Sequence, residues 1–431
     1  SISINPLVAE QVKKPVGAHS AKHRTEFELV RLRNGARLLL QPDRTLPNVH
    51  LRLCCLGGPR FEAIDRRGST ALLATLLTKD TRKMSAVNVA RKIEEVGGSF
   101  YPFSGNNTFG LALEVLPTDV DRAFSLLSAA VLSPAFRPST VATEREAQLA
   151  GIREENDSVV SFGGKILRKK FFGDHPFAIG VNGDEASLTS MTARDLSALY
   201  QRLIRAKNTV LVVTGDFDSS QIKAAANRVL TKLPAGNVEK LEKSFSGPAL
   251  PGKFIENQSS QQAIVFEAYP APPLHASDFY VSEVMDELFS GMSSRLFERV
   301  RDDLGLAYFV RSSRIIGMDT AMFYFYAGTA PGSEKAVLRE IAKEIKRVSG
   351  GGVKFEELQR CQVRLKAAHQ MSRQTNSARA MQAGLSVLYG QPVNDWQNYD
   401  THIDAVTVDD IVVFAQTYFK TNRRIQLTVR P

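Results

Sequence analysis

The chain has 431 residues, of which 43% are apolar and 23% charged, and it carries a formal net charge of +10. A chain of this length outgrows one hydrophobic core, so two or more domains are expected, and the composition excludes a disordered polymer. No apolar run approaches the about 18 residues of a membrane-spanning helix. The basic residues are scattered, with "LRKK" at Leu167–Lys170 the densest cluster, and no nucleic-acid motif accompanies them, so the charge reads as solvated surface.

Residues 1–25 form an N-terminal arm that begins "SISINPLVAEQVKK", without methionine or a signal-like apolar core, as expected of a processed product. His19 and His23, in "VGAHSAKHR", have one-turn spacing but no glutamate between them. That segment reads as a flexible or partner-docking arm and not as a metal site. A first domain is expected over residues 26–233. Within it, "VHLRLCCLG" reads as a strand. Alternation points Cys54 and Cys55 to opposite faces, so no bridge joins them, and Cys361 is alone. The next segment, "GSTALLATLLTKDT" (Gly68–Thr81), has the make-up of a core helix, with no ionisable side chain before Lys79.

"MSAVNVARKIEEVG" (Met84–Gly97) reads as an amphipathic helix. Ser85 is its expected N-cap, Gly97 its C′ residue, and Val89, Ile93 and Val96 its buried stripe. "FGLALEVLPTDVDRAFSLLSAAV" (Phe109–Val131) is strand, proline, helix. His175, in "GDHPFA", reads as a turn contact and not a ligand. "MTARDLSALYQRLIRAKNTVLVVTG" (Met191–Gly215) is helix then strand, with Thr192 and Asp195 spaced as a capping box. "PAGNVEKLEKSFSGPALPGK", residues 234–253, is rich in proline, glycine and charge and reads as a linker.

The remainder, residues 254–431, repeats the first domain. "MSSRLFERVRDDLG" (Met292–Gly305) follows Met84–Gly97 at an offset of 208, with Ser293 as the N-cap and Gly305 as C′. "AMFYFYAGTAPGSEKAVLREIAKEI" (Ala321–Ile345) repeats the strand, proline, helix unit, with Pro331 following Pro117 at 214. "VTVDDIVVFAQTYFKTNRRIQLTVR" (Val406–Arg430) repeats the helix–strand unit at 215, including Thr407 and Asp410. Three ordered matches at nearly constant offset define a duplication. The expected fold class is α+β: two homologous domains, each a mainly antiparallel sheet packed with helices.

The duplication isolates two residues. At offset 208, Arg301 stands where the first copy has Ile93, and Tyr308 where it has Phe100. Phe297 lies one turn before Arg301. A guanidinium on a core stripe must reach solvent or face a polar cleft, because an unpaired buried charge is costly.

The duplicated half, the segment "SSRLFERVRDDLGLAY" and "NTVLVVTGDF" resemble the pitrilysin/insulinase-type zinc metallopeptidases. The two-domain form is similar to subunits of mitochondrial processing peptidase, to core proteins of respiratory bc1 complexes and to bacterial heterodimeric relatives. Catalytic members carry His-x-x-Glu-His on a first-half helix, two zinc ligands with a general base between them. Here those positions fall on Ala71, Leu72, Leu73, Ala74 and Thr75, and the third ligand position falls near Leu149–Ile152, at Ala150 and Gly151. The resemblance therefore implies no metal or other cofactor in this chain.

It also implies roles for Arg301 and Tyr308, which match the family's second-half pair across Gly305. The arginine would hold a substrate carbonyl, and the tyrosine would stabilise the oxyanion. The chain is then half of a clamshell. A homologous partner with an intact His-x-x-Glu-His would hold zinc, and an unfolded peptide would bind in the chamber, adding a strand to a sheet edge. The alternative is a proteolytically inactive scaffold subunit of a bc1-type complex. The expected compartment is the periplasm of a bacterium, with the mitochondrial matrix as the alternative.

Overall fold

Alternating apolar side chains build two sheets in the computed structural model, which describes residues 26–238, 245, 247–248, 250–291 and 294–431. His19, His23, the expected cap Ser293 and part of the 234–253 linker lie outside these residues. The first sheet is formed by β1 (Glu28–Arg31), β2 (Arg37–Pro42), β3 (Val49–Leu56), β4 (Ser99–Ser104), β5 (Thr108–Val115) and β6 (Thr209–Gly215). Its order is β1-β2-β6-β3-β5-β4, antiparallel throughout except for the parallel pair β2–β6. The second sheet holds β7 (Gly252–Asn257), β8 (Ala263–Pro270), β9 (Phe309–Ile316), β10 (Ala321–Thr329) and β11 (Ile425–Arg430). Its order is β7-β11-β8-β10-β9, and β7–β11 is again the parallel pair.

Without β1 the two sheets agree strand for strand, and in register too. Val49 faces Val115 in the first, and Ala263 faces Thr329 in the second. The protein has a two-domain α+β fold built from a duplicated unit, and the local signals of the repeat carry through. Thr192 with Asp195 and Thr407 with Asp410 both close complete capping boxes. Ser85 caps the helix Ala86–Glu94 by accepting from the Asn88 N–H. Gly97 (φ 61°) and Gly305 (φ 58°) both take the left-handed conformation that ends a helix, where a Cβ would be strained.

Each strand of a sheet has two faces, and the two are covered differently. On β3, Leu51, Leu53 and Cys55 point into the core made with the first domain's own helices. Cys54 points the other way, as alternation requires, with Leu39, Val210 and Val212. That face is covered by Ala380, Ala383 and Val387 of the helix Asn376–Leu388, which belongs to the second half of the chain. The exchange is reciprocal. Ile264, Phe266, Leu427 and Val429 of the second sheet are covered by Val159, Leu167, Phe171 and Phe172 of the first-half helix Val159–Phe172. Each buried Val, Leu, Ile and Phe among these contributes about 1.5–3 kcal/mol by leaving water, and the alanines less.

Each crossing helix also brings a glycine against the sheet it covers. A Cβ on Gly163 would lie 2.4 Å from the Phe266 ring, and one on Gly384 would lie 2.8 Å from the Cys54 Sγ. Close approach is what these glycines provide, at a cost of about 1 kcal/mol in helix propensity. Burial pushes the Cys54 and Cys55 thiols up to about 12, so neither is a reactive thiolate.

Polar ties accompany the exchange. Arg379 on the crossing helix is buried and donates to Asp43 and Gln41 at the end of β2, both at 2.8 Å. Asp319, before β10, pairs with Arg60 at 2.8 Å and lies 3.5 Å from His175. His175 makes the turn contact expected of it: its Nδ1 accepts from the Phe177 N–H at 3.1 Å. Among the described residues, no helix is long and apolar enough to cross a membrane.

Candidate functional site

The segment at the zinc-motif position forms the helix Ser69–Leu77. Its entry is set by Gly68 (φ 87°) and by the buried Glu62 carboxylate, which accepts from the N–H groups of Gly68 (2.9 Å) and Thr70 (2.8 Å). Burial pushes the Glu62 carboxyl up, and the two N–H groups oppose that shift. Leu72, Leu73, Leu76 and Leu77 are buried in the domain core. Ala71, Ala74 and Thr75 face a recess of about 290 Å³. The Thr75 hydroxyl turns back onto its own helix and donates to the Ala71 carbonyl at 3.2 Å.

The opposite wall is the helix Pro138–Asp157. It presents Glu144, Ala147 and Gln148 to the recess, one turn before Gly151, while Ala150 is exposed. Glu144 is held by Lys79 at 2.9 Å. Gln148 donates to the carbonyls of Gly68 (3.1 Å) and Asn182 (2.8 Å). The third wall is the Pro102–Ser104 end of the edge strand β4. Two alanines, a threonine and a lysine-paired glutamate do not fit a zinc ion, whose sites need three nitrogen, sulfur or carboxylate donors converging on one point. No group of three or more such residues forms a metal-binding cluster among the described residues.

The duplication supplies a counterpart that sequence reasoning missed. In the helix Phe279–Ser290, the buried residues Val284, Met285, Leu288 and Phe289 repeat the pattern of Leu72, Leu73, Leu76 and Leu77. The three positions equivalent to Ala71, Ala74 and Thr75 are then Glu283, Asp286 and Glu287. They keep the i, i+3, i+4 spacing of the peptidase motif, which is the sequence signal that marks them. All three are neutralised internally. Arg314 reaches Glu283 at 3.2 Å and Asp286 at 3.6 Å, and Arg364 reaches Glu287 at 2.5 Å. Tyr399 donates to the other Glu283 oxygen at 3.0 Å.

Arg301 and Tyr308 flank the turn at Gly305. The expected regular helix here is a π-helical turn over Phe297–Asp303. In the first copy the closing bond runs from the Gly98 N–H to the Ile93 carbonyl. In the second it runs from Leu306 to Val300, one residue longer. That extra residue shifts the core stripe. Leu296 and Val300 are fully buried, so Val300 and not Arg301 occupies the place of Ile93. Arg301 is carried out to the surface, where its guanidinium lies 4.6 Å from the centre of the Phe297 ring. Tyr308 is held by its backbone N–H, which donates to Gly328 at 2.8 Å, and its side chain is 62% exposed. Neither polar tip has a side-chain hydrogen-bond partner among the described residues.

A duplicated α+β unit with a helix at the peptidase-motif position defines a two-domain peptidase-like protein, and comparison with known proteins agrees. Residues 37–181 match the family model "Insulinase (Peptidase family M16)", and residues 190–365 match "Peptidase M16 inactive domain". A Rickettsia felis protein described as an uncharacterized zinc protease is 26% identical over 404 residues, covering 91% of this chain and 95% of that protein. A Mycobacterium leprae protein of the same description is 25% identical, covering 83% of this chain and 81% of its own. The crystal structure of a Helicobacter pylori protease superposes with a TM-score of 0.87 at 19% identity, covering 95% of this chain and 100% of that one. A Pseudomonas fluorescens peptidase M16 inactive domain also gives 0.87, at 20% identity and with 94% and 98% coverage. The chain belongs to the pitrilysin/insulinase-type M16 peptidase family, in its two-domain form. Within that family it is a member without zinc ligands at the motif positions.

Proposed function

We propose that this chain is the non-zinc subunit of a heterodimeric zinc metallopeptidase. A homologous partner of similar size with an intact His-x-x-Glu-His would hold the metal and the general base. This chain supplies Arg301 and Tyr308 to an unfolded peptide substrate. The observation that carries the reading is the turn lengthened by one residue: Val300 takes the buried place of Ile93, and Arg301 and Tyr308 are left exposed beside it. A π-turn of this kind is tolerated most often where a side chain must be re-aimed.

The roles follow from the functional groups. The Tyr308 hydroxyl is a donor suited to an oxyanion that develops on a peptide carbonyl. The Arg301 guanidinium offers a fork of donors to a neighbouring carbonyl. A bc1-type scaffold has no use for two unpartnered polar tips, so the peptidase reading is preferred. Co-expression with an intact-motif relative tests it. The expected result is a stable one-to-one complex that cleaves unfolded peptide and holds one zinc, all of it on the partner. Separate species at micromolar concentration, or tight zinc on this chain alone, would overturn it.

A further inference from the structure

A second cavity, of about 450 Å³, lies away from the Ser69–Leu77 helix, between the helices Phe279–Ser290, Phe355–Ser372 and Asn376–Leu388 and the turn that follows. Its walls include Tyr280, Tyr399, His369 and Trp396, with two carboxylates, Glu283 and Asp395. Among the described residues, no lysine or arginine lines it. Arg314 reaches Glu283 from outside the cavity, and among the described residues the Asp395 side chain accepts from the Asn398 amide alone, at 3.3 Å. His369 stacks on Tyr399 with ring centres 4.0 Å apart, and its Nε2 is buried with no partner among the described residues. Burial lowers the imidazole's affinity for a proton, and the charge of Arg373 lowers it further. A neutral ring bonded through its other nitrogen to the Trp396 backbone leaves Nε2 as an acceptor.

With Glu283 already matched by Arg314 and Tyr399, the cavity offers the Asp395 carboxylate, an acceptor nitrogen and aromatic faces. Each of these seeks a positive group that carries N–H donors. The Tyr280 phenol is pushed up to about 12, first by burial and then by the negative charges of Asp395 and Glu283. The faces already accept guanidinium groups at the margin, since Arg373 lies 3.5 Å from the centre of the Trp396 ring. From this charge complementarity we infer that the cavity binds an organic cation, a guanidinium or alkylammonium group on a short apolar stem. It comes either from a basic residue of a bound peptide or from a free amine. The volume suits a group of that size.

Trp396 is the only tryptophan of the chain, so its emission reports on this cavity. The full chain is titrated with butylguanidinium, with the neutral near-isostere butylurea and with Gly-Arg-Gly amide. Emission is followed in parallel with saturation-transfer NMR of the ligand. Butylguanidinium should bind saturably with Kd of about 1 mM, as expected for a fragment, and butylurea should not bind. Asp395→Asn, a change at a surface turn, should weaken binding about tenfold, the loss of one charge-assisted contact. A peptide that binds at least about tenfold tighter than butylguanidinium and is displaced by it identifies a basic residue as the natural source; equal affinity identifies a free amine. No saturation by either readout up to about 20 mM, an equal response to butylurea, or unchanged affinity in Asp395→Asn would overturn the inference. The test needs no partner subunit, so its failure leaves the peptidase reading intact.

Discussion

At one helix position the two halves of the chain have diverged in opposite directions. The first half carries Ala71, Ala74 and Thr75 over a recess, and the second carries Glu283, Asp286 and Glu287 tied down by Arg314 and Arg364. The four residues behind each set are the same in kind: Leu72, Leu73, Leu76 and Leu77 against Val284, Met285, Leu288 and Phe289. The duplicated framework thus fixes only the core face of this helix. The other face is free to be emptied of charge or filled with paired charge, because neither choice leaves an ion buried without a partner.

The largest expected effect breaks the assumption that the halves are separate. If the exchanged helix Asn376–Leu388 is integral to the first sheet, removing its buried anchor must destabilise both. Arg379→Ala removes a guanidinium that is 2% exposed, together with its bonds to Asp43, Gln41 and Asn376. The expected loss is about 3–5 kcal/mol in urea unfolding. A midpoint within about 0.5 kcal/mol of wild type would show that the exchanged helix is a dispensable cover.

The next effect sharpens the functional contrast. Tyr308→Phe should lower the turnover of the reconstituted heterodimer by about 10²–10³-fold, the usual loss for one oxyanion donor, with the melting temperature unchanged because the hydroxyl is in solvent. Arg301→Ala should reduce peptide binding and turnover together. Full activity in both variants would return Arg301 and Tyr308 to ordinary surface residues.

The inserted residue is tested by a neighbouring pair. Val300→Ala should cost about 2 kcal/mol, two buried methyl groups and the space they leave. Arg301→Ala should change stability by no more than about 0.5 kcal/mol. The reverse order would place Arg301 on the core stripe and remove the π-turn argument.

What the sequence made legible, and what it did not, divides by range. Capping boxes at Thr192 and Thr407, the C′ glycines Gly97 and Gly305 and the opposed faces of Cys54 and Cys55 are local chemistry, and each could be read from a few adjacent residues. The duplication was legible because it repeats such local marks in order. The exchanged helices were not. Val159–Phe172 and Asn376–Leu388 look like ordinary amphipathic helices, and nothing in an apolar stripe says which sheet it will meet. The shift from Arg301 to Val300 was also hidden, since one extra residue in a turn leaves the glycine offset unchanged. At the candidate site the missing ligands at Ala71, Ala74 and Thr75 were legible. The wall made by Glu144, Ala147 and Gln148 was displaced by a turn from the Ala150 and Gly151 expected there. The acidic triplet at Glu283 could have been found by aligning core positions instead of helix ends.

The smallest effect concerns acid sensitivity, which the halves should not share at one strand position. His50 on β3 is fully buried, and the register places Ile264 of β8 at the same site in the second domain. Burial lowers the His50 pKa. The nearby Glu114 carboxylate, 3.3 Å from Nδ1, opposes the shift without reversing it, and the charge of Arg52 adds to it. The folded state therefore holds a neutral imidazole at a pH where the unfolded chain, with a histidine near its ordinary value of about 6.5, takes up a proton. More protons bound in the unfolded state means that stability falls as pH drops from about 7 towards 5. Glu114 contributes below that window: its own pKa is lowered, first by the hydrogen bond to His50, so its stabilising effect is present above the ordinary carboxylate range and is lost only as pH falls through it. His50→Ile, which copies the second domain, should therefore flatten the stability profile between about pH 7 and 5; it also removes the hydrogen bond that lowers the Glu114 pKa, so that residue's share of the acid limb shrinks while the share of the other carboxylates stays. Urea midpoints at half-unit pH steps measure this. His369, also lowered by burial, keeps part of the slope in the variant. Profiles that superimpose across the whole window would mean that His50 has the same proton affinity folded and unfolded, and that the two domains meet acid alike at this position.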